Sequence, residues 1–149
     1  MSEEKIESVI RALGAALEAK DVEKVLSLVA DDAVWMNDEG TFKGKEEWKR
    51  YLTWLAKQAA EVEVKYKDTG IGVMVKGNKA VWQYTLEGKT PDGMKFEVPG
   101  VCLYEFKNEK IFQHTTITDR LTLIKQVVKG PVQKRIVNSI VNAAEKGLH

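Results

Sequence analysis

The sequence predicts an α+β domain whose curved antiparallel sheet is covered on one face by helices, and three observations support this fold class. Apolar residues recur at spacings of three and four through residues 3–60, as they do on one face of a helix. From Val62 onward the apolar period changes to two, and turn residues separate the segments. The links between these later segments are short, which favours antiparallel pairing.

Three helices precede nearly all of the predicted sheet. The first spans residues 3–19, the second runs from Val22 to Val29 with Asp21 as its N-cap, and the third spans 45–60. The stretch AVWMNDEGTFKG, between the second and third helices, predicts a short strand, a turn and a returning strand. A domain with helices first and a strand meander afterwards is expected to pack its helices on one face of the sheet.

The remaining chain predicts five strands and a final helix. The strands are expected at residues 62–68, 71–76, 79–89, 94–107 and 110–118. Gly77-Asn78, Pro91-Asp92-Gly93 and Asn108-Glu109 mark their connections. Residues 131–147 predict an amphipathic helix, so we expect one domain over 1–130 and a helical extension of the same domain over 131–149.

Composition limits the possible classes of protein. The chain has 149 residues, of which 44% are hydrophobic, and this suits one globular domain with a substantial core. Its 23 Lys and Arg against 22 Asp and Glu form no basic block, so we expect no nucleic-acid partner. The single Cys102, the polar start MSEEKIES and the absence of a long apolar run predict a cytoplasmic protein without a membrane partner.

Strand alternation predicts an internal pocket on the even-numbered face. Residues two apart point the same way, and the even set is the more apolar over 80–87 and 95–98. On the last strand the same rule groups Phe112 with His114, opposite Ile111. The expected lining is Trp82, Tyr84, Cys102, Tyr104, His114 and Thr116. Aromatic residues at period two also form plain core, and a lone histidine among threonines also serves only as their hydrogen-bond partner, so both alternatives stay open.

Three segments carry a family resemblance that spans residues 3–130. LEAKDVEKVLSLVADDAVW has a helix, an acidic turn, a second helix and a DDA entry into the first strand, and FKGKEEWKRYL is a glycine-led third helix. NEKIFQHTTITDRLTLIKQVVKG has Lys-Ile, a His three residues later, an Asp five beyond it, then Leu and Gln. Together they resemble the nuclear transport factor 2-like superfamily and, more narrowly, its SnoaL-like polyketide cyclase branch. The resemblance implies a cone-shaped sheet that opens onto a cavity, in a homodimer.

The resemblance also implies a site. In SnoaL-like cyclases an Asp near a His removes a carbon-bound proton without metal or cofactor, which makes His114 and Asp119 the candidate catalytic pair, with Asp38 as a third candidate. Trp35 and Asn37 on the first strand join the ligand-binding set. The sequence departs from ketosteroid isomerases, because Asn37 stands where they have the catalytic base and Cys102 where they have the protonated acid. It also departs from limonene epoxide hydrolases, because Thr115 and Thr116 stand in the stretch where they have an Asp-Arg-Asp network.

Two functions follow as alternatives. The first is a protein that binds a small apolar carbonyl compound and acts as a cofactor-free polyketide cyclase, isomerase or hydro-lyase. The second is a non-catalytic ligand-binding or dimerisation module of the same fold. On a regular strand His114 and Asp119 point to opposite faces, and Asp119 is also placed to cap a helix over RLTLIKQV.

The predicted C-terminal helix has an apolar stripe that is too long to leave in water. It is expected either to lie over the mouth of the cone as a lid, or to pack against a second subunit or the outer sheet face, where Val101 and Leu103 need cover. Charged residues on its other side favour the second arrangement.

Overall fold

The computed structural model describes residues 1–148, and residue 149 lies outside the described residues. Its helices are α1 (Glu3–Glu18), α2 (Val22–Leu28), α3 (Gly44–Gln58), α4 (Arg120–Val127) and α5 (Pro131–Ala144). Its strands are β1 (Val29–Asn37), β2 (Gly40–Lys43), β3 (Glu63–Lys76), β4 (Lys79–Lys89), β5 (Lys95–Lys107) and β6 (Lys110–Thr118). The predicted α+β fold, with three N-terminal helices on a curved sheet, is confirmed.

The six strands form one open sheet in the order β2-β1-β6-β5-β4-β3. Neighbouring strands are antiparallel except β1 and β6, which run parallel. A parallel pair requires a long connection, and helix α3 and the β3–β5 meander lie between these two strands in the chain. The core lies between the concave face and the helices, where α1 contacts β3 and α3 contacts β1. No helix among residues 1–148 is long and apolar enough to cross a bilayer.

Two predicted boundaries in the first half differ from the structure. Val29 is the first residue of β1 rather than the end of the second helix. The predicted strands 62–68 and 71–76 are one strand, β3, with an irregular register between Asp68 and Val73. Gly70 and Gly72 have φ values of +57° and +60°, so these glycines form a bulge within a continuous strand.

A second bulge changes the face assignment at the start of β6. The register shifts between Glu105 and Phe106, so that Phe106 lies opposite Ile111 and Glu105 opposite Gln113. Ile111 is therefore fully buried in the core, and Phe112 is half-buried with the Lys107 ammonium over its ring. The predicted pairing of Phe112 with the His114 face was wrong, because strict alternation fails across a bulge.

Helix α4 completes the edge of β5 that β6 does not reach. β6 pairs with β5 only from Gly100 onward. At Glu97 the Gln126 side chain takes the place of a strand, since its Oε1 accepts from the Glu97 N–H at 2.9 Å and its Nε2 donates to the Glu97 carbonyl at 2.8 Å. Pro99 also lies on this edge, and its carbonyl accepts from the Asp119 N–H.

Helix α5 packs chiefly against α4 and leaves most of its apolar residues exposed. Of its described residues Val141 is buried, at 8% exposure. The predicted boundary between a domain over 1–130 and an extension stays a prediction.

The β5–β6 turn offers a test of local strain. Asn108 and Glu109 both have positive φ, +50° and +62°, as a two-residue type I′ hairpin requires. A β-carbon in this region costs about 1–2 kcal/mol, so Glu109→Gly is expected to raise the free energy of unfolding by about 0.5–1 kcal/mol. Urea denaturation measures the change. Glu109→Ala, which keeps the β-carbon, is the control and should show no gain; an equal gain there would mean that backbone strain is not the cause.

Candidate functional site

His114 lies in the centre of the concave face, between two aromatic rings. Register places Trp35 on β1 and Tyr104 on β5 directly beside it. The His114 ring centroid is 4.9 Å from that of Trp35 and 4.7 Å from that of Tyr104, with interplanar angles of 14° and 18°. These separations match the spacing of adjacent strands, so the stack follows from three residues in one row of the sheet. The His114 side chain is 1% exposed.

A chain of weakly polar groups continues from His114 along the concave face. The Thr116 hydroxyl lies 3.2 Å from His114 Nε2, accepts a hydrogen bond from Trp35 Nε1 at 3.0 Å and lies 3.6 Å from Cys102 Sγ. Cys102 Sγ is also 3.6 Å from the Tyr84 hydroxyl. Alternation correctly brings these residues together. The other ring nitrogen, His114 Nδ1, is buried and has no hydrogen-bond partner within residues 1–148.

Burial keeps this cluster uncharged. Desolvation lowers the pKa of His114 to about 3, so the imidazole is neutral at physiological pH. The same cause raises the pKa values of Cys102, Tyr84 and Tyr104, whose side chains stay protonated. An acid–base catalyst instead needs a pKa near the working pH.

Asp119 is exposed and caps α4. Its Oδ1 accepts from the Thr122 N–H at 3.0 Å and its Oδ2 from the Thr122 hydroxyl at 2.6 Å. These bonds lower the pKa of Asp119. The structure thus places Asp119 at the N-cap of α4, which is the capping role that the sequence left open.

Asp38 and Asn37 belong to the β1–β2 turn. Asp38 Oδ2 lies 3.5 Å from Arg120 Nε, and Arg120 also contacts the Glu39 carboxylate. Asn37 Oδ1 accepts from the Glu39 N–H at 2.9 Å and so closes the turn, while its Nδ2 is buried and has no hydrogen-bond partner in the part of the chain that the structure describes. The three candidate catalytic residues therefore share no partner: His114 bonds Thr116, Asp119 bonds Thr122 and Asp38 pairs with Arg120.

The remaining predicted ligand-binding residues are tightly packed. Trp82 Nε1 donates to Asp68 Oδ1 at 2.8 Å, and a β-carbon at Gly14 of α1 would lie 2.6 Å from the Trp82 ring. A β-carbon at Gly100 would likewise lie 2.6 Å from Tyr84. Glycines thus let helix and strand backbones approach these rings, which leaves little free volume around them.

An apolar pocket lies elsewhere, between the α1–α2 junction, α3 and the strands β3 and β4. Its volume is about 170 Å³. The helices contribute small and aliphatic side chains, among them Ala16, Leu17, Val25, Leu55, Ala56 and Ala59. The sheet contributes Val64, Tyr66 and Leu86, and the charged lining residues are Lys20 and Asp21. None of the residues proposed from the sequence lines this pocket; the sequence signal for it was three small residues, Ala16 of α1, Ala56 of α3 and Ala59 directly after α3.

Two features define the class of protein. A six-stranded curved sheet encloses an aromatic interior under three helices, which is the nuclear transport factor 2-like architecture. Residues 10–114 match the SnoaL-like domain family, and this chain belongs to that family. No curated protein matches the chain significantly.

Solved structures agree with this assignment. A candidate polyketide cyclase from Xanthomonas campestris pv. campestris has a TM-score of 0.72 at 16% identity, covering 84% of this chain and 98% of its own. IdmH, a candidate polyketide cyclase from Streptomyces antibioticus, has a TM-score of 0.67 at 19% identity, covering 81% and 96%. A protein of ketosteroid isomerase-like fold from Catenulispora acidiphila, in complex with trimethylamine, has a TM-score of 0.67 at 20% identity, covering 79% and 90%. Identities this low show a shared fold.

The buried neutral His114 predicts a specific pH dependence of stability. Its pKa of about 3 in the folded state lies below the ordinary histidine value of 6.5, so the unfolded chain binds the proton more readily and stability falls as pH drops below 6.5. The expected loss is about 1.5–2 kcal/mol between pH 6.5 and 5, a window above most carboxylate titration. Urea denaturation at several pH values measures it. His114→Gln should remove the slope, and an unchanged slope in that variant would assign it to other groups.

The Asp119 cap gives a second test. Asp119→Ala removes the acceptor of the Thr122 N–H and should lower the free energy of unfolding by about 0.5–2 kcal/mol, whereas Asp119→Asn, which also caps well, should change it little. Thermal denaturation compares the two variants. An equal loss in both would mean that the carboxylate charge matters rather than the cap.

Proposed function

We propose that this protein binds a small apolar carbonyl compound in the pocket between α1–α2, α3 and the β3–β4 strands, as a binding module rather than an acid–base enzyme. The observation that carries the proposal is an apolar pocket with one lysine, Lys20, among its lining residues. A site of this kind is apolar with a few polar groups that orient the ligand.

The size of the pocket limits the ligand. Its volume of about 170 Å³ is close to that of an apolar protein cavity that holds benzene, roughly 150 Å³. The pocket is smaller than sites for drug-sized molecules, about 300–1,000 Å³. A single ring or a short branched chain fits this volume, as does a ring-sized part of a larger ligand.

Lys20 supplies the polar contact. It follows α1 with φ +56°, a position where glycine is the usual residue, and its half-buried side chain donates from Nζ to the Val62 carbonyl at 2.9 Å. An ammonium has three donor hydrogens, so two remain for a ligand oxygen. Asp21, the other charged lining residue, already accepts from the Lys24 N–H as the N-cap of α2.

None of the bases considered from the sequence lines this pocket, and the one carboxylate among its lining residues, Asp21, is the N-cap of α2, which supports binding over turnover. Removal of a carbon-bound proton requires a base that reaches the ligand. His114 is buried and neutral, Asp119 caps a helix, and Asp38 contacts Arg120. A structure of the same fold holds trimethylamine, which is consistent with small-molecule binding in this architecture.

Ligand titration tests the proposal. The probes are cyclohexanone and cyclohexane, which differ in the carbonyl, and binding is followed by chemical shifts of backbone amides. Both probes are expected to perturb residues of the pocket, and cyclohexanone should bind more tightly. Lys20→Met should weaken cyclohexanone about 10-fold or more, since a charged hydrogen bond contributes about 1.5–3 kcal/mol, and should leave cyclohexane unchanged.

Two further variants locate the site. Ala56→Leu fills the pocket and should abolish binding of both probes, whereas Thr53→Leu, an exposed position on the same helix, should not. Binding that survives Ala56→Leu would place the site elsewhere. Exchange of the cyclohexanone α-hydrogens in deuterated water, if accelerated by the protein and not by a heat-denatured sample, would contradict the non-catalytic assignment.

A further inference from the structure

Helix α5 carries an apolar stripe that faces away from the rest of the chain. Val132, Ile136 and Ile140 recur every four residues along one side of the helix and are 69%, 55% and 56% exposed. Val141 of the same helix is buried, at 8% exposure. At about 3.6 residues per turn, the directions of Ile136 and Val141 differ by about 140°. The buried side of α5 and its apolar stripe therefore point in nearly opposite directions.

The exposed stripe does not cover the apolar pocket. No residue of α5 is among those that line the pocket between α1–α2, α3 and the β3–β4 strands, so the lid that was one option from the sequence has no support there. Three aliphatic side chains are left in water, and neighbouring exposed apolar side chains of this kind mark an interaction site.

The end of the chain that contains α5 is positively charged, whereas the rest is negatively charged. Residues 120–148 contain six Lys and Arg and a single acidic residue, Glu145. Residues 1–119 contain 17 Lys and Arg against 21 Asp and Glu, although the whole chain has a net charge of only +1. No acidic residue lies between Arg120 and Ala144. Helices α4 and α5 therefore form a basic region on an otherwise acidic protein.

Part of this positive charge is not neutralised by the chain itself. Arg120 and Lys129 are paired with carboxylates of other segments. Within residues 1–148, Lys134, Arg135 and Lys146 form no ion pair. All three are exposed, so their charges are available to an anionic partner.

Arg135 places one of these charges beside the apolar stripe. It lies three residues after Val132, and residues three apart are neighbours on a helix surface. A long Arg side chain lays its aliphatic part along apolar surface and keeps its charged group at the polar boundary. Helix α5 therefore combines an outward apolar stripe with a cation at its border.

We propose that α5 binds the surface of an anionic lipid bilayer. The helix lies parallel to the bilayer, its apolar stripe enters the boundary between head groups and acyl chains, and Arg135 contacts lipid phosphates. Basic residues near an anionic bilayer add an attraction that falls off within a Debye length. An interfacial helix does not cross the bilayer, so the expectation of no membrane partner, which rested on the lack of a long apolar run, does not apply to it.

A flat surface fits α5 better than other partners. A groove that binds a helix encloses several of its sides, but the side around Val141 is already covered by the chain. A nucleic acid would contact the basic side chains through its phosphates and leave the apolar stripe in water. A lipid surface covers the stripe and neutralises the free charges from one side.

Co-flotation with lipid vesicles tests the proposal on the full chain. Vesicles of equal parts phosphatidylcholine and phosphatidylserine are expected to carry the protein with them at low salt, and pure phosphatidylcholine vesicles should bind it at least about 10-fold more weakly. Arg135→Gln, which leaves the stripe intact, should weaken binding to the mixed vesicles about 5-fold, the equivalent of about 1 kcal/mol for one basic residue. No binding of the full chain to the mixed vesicles would overturn the proposal.

Two further variants separate the apolar stripe from net charge. Ile136→Asp should reduce binding to the mixed vesicles below detection, with an unchanged circular dichroism spectrum. Asn138→Asp adds the same charge at an exposed position about 160° away on the helix and is the matched control, which should lose at most about 5-fold. An equal loss in both variants would mean that charge alone governs binding, and would overturn the insertion of the stripe.

Two other measurements decide between lipid and macromolecular partners. In sedimentation velocity, a dimer of the full chain that Ile136→Asp converts to a monomer would assign the stripe to a second copy and overturn the proposal. Binding to duplex DNA that Ile136→Asp leaves unchanged would assign the basic region to nucleic acid and likewise overturn it.

Discussion

The stacked row of Trp35, His114 and Tyr104 is the contact on which the interior of this protein depends. Three flat rings at strand spacing leave no gap in the middle of the concave face, and the Trp48 indole, whose N–H bonds the Ala33 carbonyl at 3.1 Å, closes the row from α3. Because aromatic rings fill the centre of the concave face, the helices pack against these rings and do not cover a cavity there. An apolar pocket lies to one side of this row, where small residues of α1 and α3 meet the sheet.

In this protein the shared fold does not bring an acid–base site with it. The chain shares its fold with structures of candidate polyketide cyclases, yet its titratable groups are distributed differently from an acid–base site. The imidazole lies within the aromatic core, and the candidate carboxylates stabilise a helix terminus and a turn. The apolar pocket has a lysine in its lining and none of the candidate catalytic residues, which is why binding is the function we favour.

Local rules predicted the fold from the sequence better than they predicted the site. Apolar spacing located α1 and α3, turn residues located the hairpins, and alternation placed Trp82, Tyr84, Cys102 and His114 together. Alternation failed at Ile111 and Phe112, because a bulge depends on how two strands pair and not on either strand alone. The parallel β1–β6 pair depends on contacts distant in sequence. The sequence also failed to predict the apolar pocket, because a pattern that predicts burial of an aromatic residue does not show whether empty volume remains beside its ring.

The contact between Gln126 and the backbone of Glu97 has a consequence for how this protein behaves at high concentration. The first residues of β5 lack a strand on one side, and an unpaired backbone edge is a template on which other chains add strands and aggregate. A side-chain amide carries the same donor and acceptor as a peptide group, so Gln126 occupies both sites at Glu97, and Pro99 has no N–H to offer. Helix α4 thereby protects this part of the sheet from uncontrolled polymerisation.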